Sequence, residues 1–133
     1  MTVRVFRQGI GISAERMFDL ALDVERYPRF VPWWEAARVI ERRPGHYRTD
    51  QIVGFKLIRQ RFTSDTTFER PLRIDVRAAG GVLRRFELHW RFTPRGHDDS
   101  DVEVTFDLHL GPLQRLADGV ATDAIATMLT AFE

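Results

Sequence analysis

From Val102 to Leu110 the chain alternates without a break: Val102, Val104, Phe106, Leu108 and Leu110 are apolar, and Glu103, Thr105, Asp107 and His109 are polar. A period of two over nine residues predicts a strand with one dry face and one wet face. Gly111-Pro112 ends it, and the period changes: Leu113, Leu116, Val120, Ala124, Met128 and Phe132 recur at three and four residues. That spacing predicts one face of a long helix, with Pro112 in its first turn, where a missing N–H costs nothing. A one-sided strand that feeds a one-sided helix buries both apolar faces most simply when the helix lies across the sheet.

The remainder reads as the rest of that sheet. Residues 2–9 predict a first strand with Val3, Val5 and Arg7 on one side and Arg4 and Phe6 on the other, broken by Gly9 and Gly11. Ser13 is a candidate N-cap for a helical stripe of Ala14, Met17, Phe18 and Ala21, and Asp23 for a second short turn over Val24-Glu25-Arg26-Tyr27. Pro28 and Pro32 exclude a long helix from the aromatic-rich stretch Tyr27 to Trp34. That stretch suits either a satellite cluster capping the core or the lip of an apolar cavity. Five segments then precede the 102–110 strand: 35–42, a turn at Arg43-Pro44-Gly45-His46, 47–56, 57–69, Leu72 to Ala78 and Arg85 to Phe92. Tight turns between successive strands imply an antiparallel meander. The outer face carries charges of both signs, among them Arg73, Asp75, Arg77, Glu87, His89, Arg91, Glu103, Asp107 and His109. The expectation is one α+β domain over residues 1–133: seven antiparallel strands, two short helices between strands one and two, and a long C-terminal helix.

Composition narrows the function. The net charge is +1 and there is no cysteine, so neither a global drive toward DNA nor thiol chemistry is expected. No run of eighteen apolar residues offers a membrane span, and Met1 to Val5 lack the apolar core of a signal peptide; a cytoplasmic protein is expected. Lys56 is the only lysine among 20 basic residues. Arginine binds phosphate in a bidentate fork, which leaves a local anionic partner open. His89 and His109 are expected to share the outer face and to approach across strands, but without a carboxylate third ligand no metal site is expected.

Several segments resemble the coenzyme-Q-binding, polyketide-cyclase-like family of the START-like, or helix-grip, superfamily. They are Asp23-Val24-Glu25-Arg26-Tyr27-Pro28-Arg29-Phe30-Val31-Pro32-Trp33, Val53-Gly54-Phe55-Lys56, Arg61-Phe62-Thr63-Ser64, Trp90-Arg91-Phe92-Thr93-Pro94, and Met128, Ala131, Phe132 and Glu133. The resemblance implies a helix-grip fold whose sheet wraps around the C-terminal helix, with members labelled either coenzyme-Q-binding proteins or ribosome-association toxins. Gln51 and Gln60 depart from the pattern, which has an apolar residue and an acid there. Relatives also continue the final helix beyond the position of Glu133.

The assigned inner face carries Phe62, Phe68, Leu88, Trp90, Phe92 and Phe106, with Gln51, Gln60, Ser64 and Thr66 among them. An aromatic lining with a few polar groups is the make-up of a small-molecule cavity; a filled core with internally bonded polar groups is the alternative. The cavity is preferred, mainly through the resemblance. Its expected ligand-binding residues are those ten together with Phe30, Trp33, Trp34 and Phe55, and Leu116, Val120, Ala124 and Met128 from the helix. Phe30, Trp33 and Trp34 would form the mouth and touch a membrane peripherally, at the inner membrane. The helix, with its small residues and Gly119, is expected to lift and admit the ligand.

The expected function is non-enzymatic binding of a hydrophobic molecule, foremost a polyprenyl quinone such as ubiquinone or another isoprenoid lipid, with no other cofactor. Two alternatives stay open. One is a ribosome-associating regulator using Arg26, Arg29, Arg42, Arg43, Arg59 and Arg61 on phosphates; the other is a polyketide cyclase or dehydratase, against which the non-titratable Gln60 counts. The oligomeric state stays open.

Overall fold

The computed structural model describes residues 2–29, 34–55, 58–80 and 83–109. Strand β1 (Thr2–Ile10) is followed by helix α1 (Ala14–Leu22) and a 3-10 turn (Val24–Arg29). Six strands follow: β2 (Trp34–Arg43), β3 (His46–Phe55), β4 (Ile58–Glu69), β5 (Arg73–Gly80), β6 (Leu83–Pro94) and β7 (Ser100–His109). All neighbours are antiparallel in one sheet of order β1-β7-β6-β5-β4-β3-β2, so β1 and β2 form its edges. The seven strands and the two short helical segments match the expectation; the C-terminal helix, its apolar stripe and its gating role lie outside the described residues.

The central strands follow their alternation. Val102, Val104, Phe106 and Leu108 of β7 are buried, as are Phe86, Leu88, Trp90 and Phe92 of β6. The β6–β7 register sets Leu88 opposite Phe106 and Trp90 opposite Val104, which continues the dry face from strand to strand. Helix α1 buries the four residues of its stripe, Ala14, Met17, Phe18 and Ala21. Ser13 caps it by accepting a hydrogen bond from the Arg16 amide at 3.3 Å. Gly45 turns β2 into β3 at a φ of 70°, a left-handed conformation that glycine adopts without penalty.

Two expectations fail at strand ends. β1 runs through Gly9 to Ile10; its two faces divide as expected, the one with Phe6 turning inward together with Ile10 and the one with Val5, 47% exposed, turning outward. The register decides this: Phe6 stands opposite Val104 and Ile10 opposite Ser100, and residues directly opposite share a face. Gly9 therefore does not end the strand. Leu72 does not belong to β5; it lies exposed in the turn before it, its amide bonded to the Glu69 carbonyl at 2.7 Å.

Candidate functional site

Antiparallel pairing of β3 and β4 sets Tyr47 opposite Thr66, Thr49 opposite Ser64 and Gln51 opposite Phe62. Odd residues of β3 and even residues of β4 therefore share the inner face, and Tyr47, Thr49, Gln51, Ser64 and Thr66 bring polar atoms into its buried part. All five are buried, Thr49 at 1% and Gln51 at 2% exposure. They border a cavity of about 20 Å³, room for one water-sized group. Ile74 and Val76 of β5, Leu88 and Trp90 of β6, Trp34 of β2, and Ala21, Val24 and Tyr27 complete its wall.

The polar groups divide into the satisfied and the unsatisfied. The Tyr47 hydroxyl donates to the Leu22 carbonyl at 2.8 Å, and the Tyr27 hydroxyl donates to the Ala21 carbonyl. Both carbonyls belong to the last turn of α1, where intrahelical partners run out, so the two tyrosines tie the helix end to the cavity wall. The Gln51 amide Nε2 donates to Ser64 Oγ at 2.6 Å. Gln51 Oε1 and Thr49 Oγ1, both buried, have no hydrogen-bond partner among the described residues. Each such atom costs about 1–3 kcal/mol when left dry.

The site is electrically quiet. Burial, with smaller contributions from neighbouring Tyr47 and Asp23, pushes the Tyr27 phenol well above its ordinary value. Burial does the same to Tyr47, outweighing a hydrogen bond from the Thr66 side chain and the Arg42 charge, which pull it down. Both phenols therefore stay protonated at neutral pH. Among the described residues, the wall contains no histidine or carboxylate.

Aromatic rings flank the polar cluster on both sides. Phe86 bridges Phe62 and Phe106, with centroids 5.4 and 5.5 Å apart. Phe18 of α1 packs edge-on to Phe68 and Phe92, at 6.2 and 5.8 Å, and Trp90 stacks on Phe92 at 5.9 Å. Of the residues expected from the sequence, Trp34, Gln51, Ser64, Thr66, Leu88 and Trp90 meet at the cavity. Phe62, Phe92 and Phe106 belong to the core around it, with Phe68 packed against that core and, like Phe92, lying under α1. Gln60 shares their face but is half-buried near the start of β4 and does not border the cavity. Phe30, Trp33, Leu116, Val120, Ala124, Met128 and the Phe55 side chain lie outside the described residues.

Three corrections follow. Trp34 is not part of an exposed lip: it is 4% exposed, and Tyr27 meets it edge-on at 5.0 Å. His89 and His109 do not approach one another, because His89 stands opposite Thr105 and His109 opposite Arg85, four residues along the ladder and roughly 13 Å away. Nor does His89 lack carboxylates: Asp75 Oδ1 lies 2.6 Å from its Nδ1 and Glu87 Oε1 lies 3.1 Å from its Nε2. Among the described residues no three such side chains are grouped so that they could hold a metal ion. Tyr27, Tyr47 and Thr49 are the polar cavity residues that sequence reasoning missed, together with the apolar Ala21, Val24, Ile74 and Val76. Tyr47 and Thr49 precede Gln51 by four and two residues, so period-two spacing from Gln51 was the available signal.

Residues 10–133 match the family model described as polyketide cyclase / dehydrase and lipid transport. The chain belongs to this family. It is 32% identical over 122 residues to the ribosome association toxin RatA of Pseudomonas aeruginosa, covering 90% of this chain and 84% of that protein. It is also 32% identical over 132 residues to the mitochondrial coenzyme Q-binding protein COQ10 homolog B of Xenopus laevis, covering 93% of this chain but only 53%, about half, of that longer protein. A START superfamily protein from Mycobacterium smegmatis superposes with a TM-score of 0.78 at 19% identity, covering 98% of this chain and 94% of that one. This likeness bears out the START-like sheet. Among the described residues no helix is long and apolar enough to cross a membrane.

Proposed function

We propose that this domain is a non-enzymatic carrier of a hydrophobic small molecule, foremost a polyprenyl quinone or a related isoprenoid lipid. The observation that carries the reading is the pair of buried acceptor atoms, Gln51 Oε1 and Thr49 Oγ1, without partners among the described residues and set inside an aromatic enclosure. A ligand with an apolar body and a polar tip suits that arrangement: rings and aliphatic chains cover the body, and the polar atoms orient the tip. The coenzyme Q-binding relative supports the choice of ligand class.

The same wall argues against acid–base catalysis. Among the described residues its only titratable groups are Tyr27 and Tyr47, both held protonated and both already donating to backbone carbonyls. A cyclase or dehydratase needs a group that exchanges protons near the operating pH.

The test is to purify the protein from cells, extract it with organic solvent and analyse the extract by mass spectrometry. A stoichiometric isoprenoid is the expected result. Folded protein yielding no enriched lipid would move the weight to ribosome association, the reading favoured by the Pseudomonas relative.

A further inference from the structure

The hydrogen bond from Gln51 Nε2 to Ser64 Oγ, at 2.6 Å, has a directional consequence. It commits the amide nitrogen to the protein and turns the remaining polar atom of the side chain, Oε1, into a buried acceptor with no donor among the described residues. An amide oxygen cannot donate. Thr49, two residues back on the same face of β3, adds a hydroxyl that also lacks a partner among the described residues. Both border the same cavity, and its volume of about 20 Å³ admits one oxygen-sized group rather than a ring. The two tyrosine hydroxyls of the wall are already committed, Tyr47 to the Leu22 carbonyl and Tyr27 to the Ala21 carbonyl.

We propose that Gln51 and Thr49 form a subsite for a hydrogen-bond-donating tip, so that the carrier takes a phenol or hydroquinone in preference to the matching quinone. This rests on the carrier reading and deepens it. A hydroquinone O–H donates to Gln51 Oε1 and can accept from the Thr49 hydroxyl. A quinone carbonyl of the same size can accept from Thr49 but sets oxygen against oxygen at Gln51. Sites that leave a buried polar group unpaired against the wrong analogue discriminate strongly for that reason.

The probes are a one-isoprene benzoquinone and its two-electron-reduced hydroquinone, titrated calorimetrically under anaerobic conditions with reductant present for the reduced form. The reductant is harmless to a chain with no cysteine. The hydroquinone is expected to bind the wild-type protein about tenfold tighter or more. The near-isosteric Gln51→Met should remove most of that advantage, weakening the hydroquinone and relieving the oxygen–oxygen contact with the quinone, and Thr49→Val should weaken both forms. Equal affinities, tighter quinone binding, or an advantage that survives Gln51→Met would overturn the proposal. If the wild-type protein binds the quinone or an isoprenoid alcohol with no preference for the reduced ring, the carrier reading stands and only this subsite fails. If it binds none of these probes, both fail together.

Discussion

Asp75 shows how much the outer face of the sheet differs from a merely wetted one. Its side chain is 13% exposed and accepts from Arg73 at 2.5 Å and Arg91 at 2.8 Å, with His89 Nδ1 at 2.6 Å. Burial raises its pKa, but His89, Arg91 and Arg73 together outweigh burial and bring it from 3.8 to about 2. A folded-state value below the unfolded one stabilises the protein above the unfolded pKa, and that stability is lost as pH falls from about 4 through 2. The shift corresponds to about 2 kcal/mol. Asp75→Asn should therefore lower stability at pH 7 while flattening the dependence of urea midpoints on pH between about 4 and 2. A variant whose midpoints fall as steeply as wild type over that window would show that other carboxylates dominate. Glu87 belongs to the same cluster, with Arg85 at 2.6 Å and Arg77 at 3.5 Å. The sequence shows these charges as alternation; only the strand register makes them one network.

At the scale of elements, the helix start and the β2–β3 turn rest on single residues. Ser13→Ala removes the side-chain cap of α1 and should cost about 1 kcal/mol. Gly45→Ala places a Cβ 3.4 Å from the Phe68 carbonyl at a φ of +70°, and should also cost about 1 kcal/mol. The double variant should lose close to the sum of the two by chemical denaturation; a large departure from additivity would show that α1 and the turn are coupled, through Phe68, which bonds Gly45 and packs on Phe18. Gly54 serves a different end. Its missing side chain lets Glu35 of β2 lie across β3 and pair with Arg59 of β4 at 3.1 Å, since a Cβ there would meet the Glu35 carboxylate.

For the whole molecule, the distribution of arginine bears on the choice between partners. Of the six arginines considered for phosphate contact, five are paired internally: Arg26 with Asp23, Arg42 with Glu25, Arg43 with Glu41, Arg59 with Glu35 and Arg61 with Asp50. Exposed pairs of this kind contribute only about 0–1 kcal/mol each, so they hold no strong conformation, but they cancel the field that would steer the chain to RNA. With a net charge of +1, cosedimentation with large ribosomal subunits is expected to stay at background at about 0.15 M salt. Cosedimentation that is retained there and falls steeply as salt rises would support the ribosome reading instead.

What could be read from the chain and what could not divide along one physical line. Strands β6 and β7 and helix α1 were legible because each buries one face against the core, and burial writes a period of two or of 3.6 directly into the residues. Edge strand β1 was legible as a strand with two faces but not as to which face turns inward: the partner sets that, and the β7 register turned Phe6 and Ile10 inward and left Val5 outside. The cavity was half legible. Gln51, Ser64 and Thr66 interrupt apolar rows and so stand out, whereas Tyr47 and Thr49 read like residues of any wet strand. A polar side chain looks the same in sequence whether water or protein surrounds it. Only the tertiary structure decides which of its hydrogen bonds are made, and at Gln51 it leaves an acceptor atom facing the cavity without a partner among the described residues.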